Sequence, residues 1–540
     1  MRRSTLLLFA LLQLLVGCTK VDQRPRSPVV TISQGNLQGY SDTQGVFVYK
    51  GIPFAKPPLG KRRWAPPEVP DPWGTETRSA TEYAPMCVQV DMKKLDFSRT
   101  TGSEDCLMLN IWTTSVSADA KLPVLIFLHG GAHMSGSSSG AESTGFPWYI
   151  GSNLAKKGPA VVVTIAYRVG VLGFIGHRAL SHGSGYGGSG NYGHMDQIRA
   201  LEWVRDNIAK FGGDPGKVMI FGHSGGATST LVLIASPRAR GLFHSAIIHS
   251  MGAFTFSLED AERKGALVEK SLGCGNEDGG KALACMRTKS AHDVTLSVPN
   301  DLAMGKGLVF GPNVDRFVLP DTMMNLLRSG QQNQVPIIVG TTADEFTTMA
   351  PIMFPREIRT EEDYQATISS SLGTISPSVP LASIRAAYPA ENFPSRKEAM
   401  IAMMSDYVYT CPARMVTRAL SSTHKAPVHR FLYAHTFTSP GWGEFRAAHG
   451  FELALLFGPL PKELALHFNT SEEALSDQMA GAWTGFADTA SAHKMGSVEW
   501  PRYHSTSDNY LVLDTPIRLG NGYRKETCDF WEKYEKVLYP

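Results

Sequence analysis

Five short segments are apolar almost without interruption: Leu122 to Leu128, Ala160 to Tyr167, Val218 to Phe221, Ala246 to His249 and Val335 to Val339. A strand with one face in water alternates apolar and polar residues, whereas a strand covered on both faces does not. These runs therefore predict strands of a mostly parallel central sheet flanked by helices. Between them, Ile198, Leu201, Val204, Ile208 and Phe211 recur at helical spacing over 195–211, and Gly212-Gly213-Asp214-Pro215 ends that helix. A later helix is predicted from Ser471 onward, with Leu475, Met479, Trp483 and Phe486 along one face; Ser471-x-x-Ala lacks the acid of a capping box. The stretch 346–407 mixes Met, Pro and isolated aromatics, carries a cap at Thr360-x-x-Asp363, and reads as helices over a cleft. No period of about 20 to 50 residues recurs. Strand-like and helix-like segments alternate through much of the chain, which favours one large α/β unit over the several domains that 540 residues would suggest by length.

Composition narrows the class. With 43% hydrophobic and 19% charged residues the chain buries a core, which excludes a disordered polymer. Its 52 basic and 49 acidic residues leave a net charge of +3, no footprint for a phosphate backbone, so a nucleic-acid partner is not expected. At the N-terminus, Arg2 and Arg3 precede an apolar run from Leu6 to Val16, broken only by Gln13, and then Gly17. That run is about half of what a spanning helix needs, so 1–17 reads as a signal peptide that is removed. Leu15-Val16-Gly17-Cys18 resembles the lipobox of bacterial lipoproteins. The resemblance implies cleavage before Cys18 and lipidation of Cys18, with 18–28 as lipidated cysteine and tether and 29–540 as the folded domain. The expected product is anchored in a bacterial envelope, facing the periplasm or exterior; the alternative is an ordinary secreted protein. Seven cysteines are odd in number, and assigning Cys18 to lipid leaves six.

The apolar run at 218–221 leads directly into Gly222-His223-Ser224-Gly225-Gly226 and then into an Ala/Thr/Leu-rich segment. Gly-x-Ser-x-Gly between a strand and a helix is the context of a nucleophile elbow, in which the glycines permit a sharp turn that exposes the serine hydroxyl. The motif alone recurs easily in a chain with 52 glycines; the flanking elements give it weight. An activated serine also needs donors for the oxyanion, and His129-Gly130-Gly131-Ala132, directly after the strand ending at Leu128, offers backbone N–H groups with little side-chain bulk.

GIPFAKPPLGKRRW (51–64), SEDCLMLNIW (103–112), HGGAHMSG (129–136), AYRVGVLGF (166–174), GNYGHMDQIRALEWVRDNIAKFGGDP (190–215) and FGHSGG (221–226) resemble, in order and spacing, the type-B carboxylesterase family, which includes cholinesterases and bacterial p-nitrobenzyl esterases. The match is dense from 30 to 255 and thins between 346 and 405. It implies an α/β-hydrolase fold with helical insertions over an active-site gorge. It also implies a serine carboxylesterase acting on a small-molecule ester through an acyl-enzyme, with no cofactor and no metal. The same machinery supports cleavage of an amide, carbamate or thioester; a non-catalytic cell-surface binding homologue is the remaining alternative. Oligomeric state is not legible.

By the same resemblance, His449-Gly450-Phe451-Glu452 looks like the histidine loop, making His449 the base. Gly340-Thr341-Thr342-Ala343-Asp344-Glu345-Phe346 looks like the acid loop, selecting Glu345 over its neighbour Asp344. The order Ser224, Glu345, His449 agrees with α/β-hydrolase order. The implied oxyanion donors are the amides of Gly131, Ala132 and Gly225. Two positions depart from the family: His223 stands where Glu is usual, and Gly225 where Ala is usual. His223, Trp442, Phe310 and Phe317 are candidates for the substrate pocket. The loop between Cys87 and Cys106 lacks the tryptophan that holds choline in cholinesterases and carries Lys93 and Lys94, which disfavours choline esters. Six cysteines allow 15 pairings; the family pattern implies Cys87–Cys106, Cys274–Cys285 and Cys411–Cys528, all requiring an oxidising compartment. It also implies structural ion pairs Arg63–Glu104 and Arg168–Asp196.

Overall fold

The computed structural model describes residues 23–91, 96–145, 147–275, 278–298, 309–372, 379–458 and 465–538. The expected leader 1–17, Cys18, Lys93 and Lys94 lie outside the described residues. Thirteen strands form the main sheet: β1 (Arg26–Ile32), β2 (Gly35–Ser41), β3 (Phe47–Pro53), β4 (Gly74–Ser79), β5 (Met108–Thr113), β6 (Leu122–Leu128), β7 (Val161–Ile165), β8 (Gly213–His223), β9 (Ser245–His249), β10 (Ile337–Thr342), β11 (Val428–Tyr433), β12 (Asn509–Leu513) and β13 (Arg518–Asn521). Their order is β1-β2-β3-β5-β7-β6-β8-β9-β10-β11-β12-β13, with β4 beside β2. From β7 through β12 every pairing is parallel. Antiparallel pairs close both ends, β1-β2-β3-β5-β7 on one side and β12-β13 on the other.

The uninterrupted apolar runs follow from this placement. Leu125, Phe127, Met219, Phe221, Ile247 and Ile338 face one buried cluster. Ile126, Leu128, Ile220, Ile248, Ile337 and Val339, interleaved with them, face the other. The helices used below are α1 (Tyr192–Asn207), α2 (Gly225–Ala235), α3 (Arg396–Ser405), α4 (Cys411–Thr423), α5 (Glu452–Phe457), α6 (Thr470–Thr489) and α7 (Lys525–Glu532). Leu475, Met479, Trp483 and Phe486 of α6 cover the first face, and Leu201 and Val204 of α1 with Leu231 and Ile234 of α2 cover the second.

Three boundaries differ from expectation. The helix read as 195–211 begins at Tyr192 and gives way at Ile208 to a 3₁₀ turn, which Gly212 ends at φ 80°. The later helix does have a capping box, two residues earlier: Asn469 Oδ1 accepts from the amides of Ser471 and Glu472, and Glu472 Oε2 accepts from the Asn469 amide. The end of the segment read as a tether to residue 28 already belongs to the fold: Arg26 opens β1, Ser27 Oγ accepts from the Gly39 amide and the Tyr49 hydroxyl donates to Pro28 O.

Three disulfides join Cys87–Cys106, Cys274–Cys285 and Cys411–Cys528. Arg63 meets Glu104 through both carboxylate oxygens, at 2.7 and 2.6 Å, and Arg168 meets buried Asp196 in the same two-point way, both at 2.8 Å. Among the described residues no helix is long and apolar enough to cross a membrane.

Candidate active site

Strand β8 ends at His223 and helix α2 begins at Gly225, so Ser224 alone makes the turn, at φ 57° and ψ −122°. This backbone region is costly for a residue with a side chain and persists only when the surroundings enforce it. Close approach enforces it here: a Cβ on Gly222 would stand 2.2 Å from Gly226 O, and one on Gly226 only 2.0 Å from Leu128 O. The Ser224 amide donates to His249 O at 2.9 Å, and Ser224 O accepts from the Thr228 amide at 3.0 Å. Both neighbours of Ser224 are buried while Ser224 is partly exposed, so the turn presents its hydroxyl.

The loop after β6 approaches this turn from one side. Gly131, Ala132 and His133 all have positive φ, at 109°, 52° and 60°. Gly131 O turns back to accept from the amides of Met134 and Ser135. A Cβ on Gly225 would be 2.9 Å from both the Ala132 and His133 nitrogens, so glycine here lets α2 and the loop come this close. Beneath the loop His129 stacks on Tyr167 at 4.1 Å, and His133 Nε2 pairs with Ser229 Oγ at 3.0 Å. Burial lowers both rings, His129 to about 4 and His133 to about 3, so the loop rests on neutral imidazoles.

The acid and histidine loops approach from the other side. Beyond β10, Glu345 is fully buried; its Oε1 accepts from Ser250 Oγ at 2.6 Å and the Thr342 amide at 2.7 Å. Its Oε2 is 2.5 Å from His449 Nδ1. The Glu345 carboxylate is thus held by two other donors while its second oxygen faces the imidazole. The competing acid, Asp344, instead bridges the loops: its amide donates to Ala447 O, its Oδ2 accepts from the Ala447 amide, and Arg446 lies 3.4 Å from its Oδ1. His449 Nε2 is buried without a hydrogen-bond partner. The His449 ring lies between His223, at 4.3 Å, and Tyr409, at 4.4 Å.

A strained serine, a glycine loop of amides and a carboxylate-bound histidine at the carboxyl ends of one parallel sheet suit acyl transfer. A sequence model of the carboxylesterase family matches residues 26–531. The chain belongs to that family. It is 34% identical to the para-nitrobenzyl esterase of Bacillus subtilis (strain 168) over 504 residues, covering 91% of this chain and 96% of that protein. Human cocaine esterase is 33% identical over 541 residues (95% and 92%), and mouse acylcarnitine hydrolase 33% over 553 residues (97% and 94%). As a carboxylesterase, the protein is a carboxylic ester hydrolase with the α/β-hydrolase fold.

The esterase's expected pocket residues are scattered. Phe317 stacks on Tyr186 at 4.6 Å under the Arg238 guanidinium, near the far end of α2 from Ser224, so it does not belong with the site. His223 is 8% exposed, packed against His449 and the Gly450 backbone, and is a support of the histidine rather than a pocket wall. Burial, then the His449 and His249 rings, hold it well below the usual histidine range. Phe310 is buried, one residue before Gly311, whose Cβ position lies 3.7 Å from His133 Nδ1. Partly buried Trp442 packs on Phe451 at 5.4 Å, two residues past His449. Sequence reasoning missed Ser250 and Tyr409. Ser250 has no motif around it; Tyr409 lies just beyond the segment read as helices over a cleft.

Proposed function

We propose that this esterase works through Ser224, His449 and Glu345, by way of an acyl-enzyme. The observation that carries the reading is the 2.5 Å contact between His449 Nδ1 and a fully buried Glu345 carboxylate, beside a serine held in a strained turn. His449 Nε2 takes the proton of Ser224 Oγ as Oγ attacks the ester carbonyl carbon. The amides of Gly131, Ala132 and Gly225 receive the oxyanion, and His449 returns the proton to the departing alcohol. Water then repeats the cycle on the acyl-enzyme and frees the acid. Nε2 and Ser224 Oγ are not bonded in the resting protein, an arrangement common before substrate binds.

Hydrolysis of p-nitrophenyl acetate tests the assignment. Ser224→Ala should lower kcat by at least about 10⁴-fold with folding unchanged, and Glu345→Gln should lower it substantially by freeing the histidine. A Ser224→Ala enzyme as active as the parent would overturn the mechanism. The three disulfides support export to an oxidising compartment. Export with a lipid on Cys18 predicts a mature N-terminus at residue 18 carrying acyl mass, read by mass spectrometry; an unmodified N-terminus at another residue would refute the anchor. A missing choline-binding tryptophan predicts weaker turnover of choline esters than of simple alkyl esters.

A further inference from the structure

Two consecutive residues at the end of β9, His249 and Ser250, touch all three segments that carry the proposed triad. His249 O accepts from the Ser224 amide at 2.9 Å, and Ser250 Oγ donates to Glu345 Oε1 at 2.6 Å. The His249 ring reaches the third segment. Its Nδ1 lies 3.2 Å from Oε1 of Glu452, which opens α5 three residues after His449. On the other side of the ring Trp483 Nε1, from α6, donates to His249 Nε2 at 3.2 Å. An indole N–H only donates, so Nε2 is the acceptor and the ring carries its proton on Nδ1, facing Glu452. His249, Glu452 and Trp483 are all fully buried. Glu452 Oε2 has no hydrogen-bond partner among the described residues, so the carboxylate is held from its Oε1 side.

We infer that His249 is a positioning residue, which fixes the distance between nucleophile and base by holding the serine turn through its backbone and the histidine loop through its ring. The inference rests on the triad reading given above. The two carboxylates then have separate work: Glu345 meets the imidazole of His449, whereas Glu452 ties down the backbone that carries it. The His249 end of the link is rigid. Strand β9 lies between β8 and β10, with His249 opposite His223 and Gly340, and the ring packs against Phe431 at 5.3 Å and Trp483 at 5.6 Å. Replacing a buried imidazole–carboxylate pair by apolar side chains of similar shape is commonly neutral or favourable for stability. The value of this pair therefore lies in geometry, since a displacement of about 1 Å between reacting groups can cost on the order of 10²-fold in rate.

The double variant His249→Phe/Glu452→Leu removes both partners and leaves no unpaired carboxylate, so its thermal midpoint should lie closer to the parent than that of His249→Phe alone. Activity should not return with stability. On p-nitrophenyl acetate the double variant should lose on the order of 10²-fold in kcat with KM within about twofold of the parent, because His449 serves both half-reactions and both slow alike. His249→Asn, whose amide nitrogen can replace Nδ1 as the donor to Glu452, should recover kcat to within about fivefold of the parent. A folded double variant within about tenfold of the parent in kcat, a loss carried by KM, or a folded His249→Asn slower than about fivefold below the parent would each overturn the inference. His249→Asn decides alone if the apolar variants do not fold. The parallel Ser224→Ala enzyme separates the two readings: if it is inactive while the double variant is fast, the role of His249 alone is rejected, whereas an active Ser224→Ala enzyme rejects the triad itself.

Discussion

A single missing Cβ controls the oxyanion loop. Gly131 has φ 109°, a conformation side chains rarely adopt, and its Cβ position lies 2.2 Å from Ser135 O. Gly131→Ala must displace the loop whose amides are proposed to receive the oxyanion, so kcat should fall by about 10²-fold, the usual effect of losing one such donor. Far-UV circular dichroism should not change; equal activity with alanine would remove this loop from the mechanism. The sharp turn at Ser224 and the loops that bring Glu345 to His449 were legible because each residue stands in a motif. Tyr409 was not, because nothing local to Asp406-Tyr-Val-Tyr-Thr announces the π turn from which its ring packs 4.4 Å from that of His449. Phe317 misled for the converse reason: an aromatic residue carries no mark in sequence of which end of a helix it will pack against.

The π turn is itself anchored by a buried acid. Asp406 is 1% exposed and accepts from the Tyr388 hydroxyl at 2.9 Å and the Thr527 hydroxyl at 2.7 Å, with Arg524 3.7 Å away. Burial outweighs these partners and pushes its carboxyl from 3.8 up to about 6. The folded state thus holds this proton more tightly than the unfolded chain does. The resulting stability is complete below about pH 4 and is lost as pH rises through about 6. Asp406→Asn removes that dependence, so urea unfolding should show the variant gaining on the parent by up to about 3 kcal/mol between pH 4 and pH 7. A pH-independent difference would mean that Asp406 does not titrate in this window. At this scale the strands with an uninterrupted apolar run were legible, and so were α1 and α6 through the helical spacing of their apolar residues. The capping box at Asn469 was equally visible as Asn-x-x-Glu, and was missed by starting the helix two residues late. The helices of 346–407 were only loosely legible because they pack largely on one another, without the sheet's regular period.

Across the molecule, the Cys411–Cys528 bond joins α4, directly after the π turn, to α7 near the C-terminus across 117 residues. In the chain-entropy model a loop of that length contributes about 5 kcal/mol, against about 3 kcal/mol for the 11-residue separation of Cys274 and Cys285. Paired serine replacements should therefore lower the denaturation midpoint more at 411/528 than at 274/285; the reverse order would show that the long loop is already restrained in the unfolded chain. The sheet order adds a temporal consequence. Strands β8, β9, β10, β11 and β12 lie side by side in the order in which a ribosome releases them. Each newly emerged strand has a finished edge waiting for it, so the sheet can extend outward during synthesis without rearranging what came before. The serine turn and its oxyanion loop are complete once β9 is laid down, whereas His449 emerges two hundred residues later. A nascent chain halted before β11 should carry a shaped but silent elbow, and hydrolytic activity should appear only after the histidine loop docks.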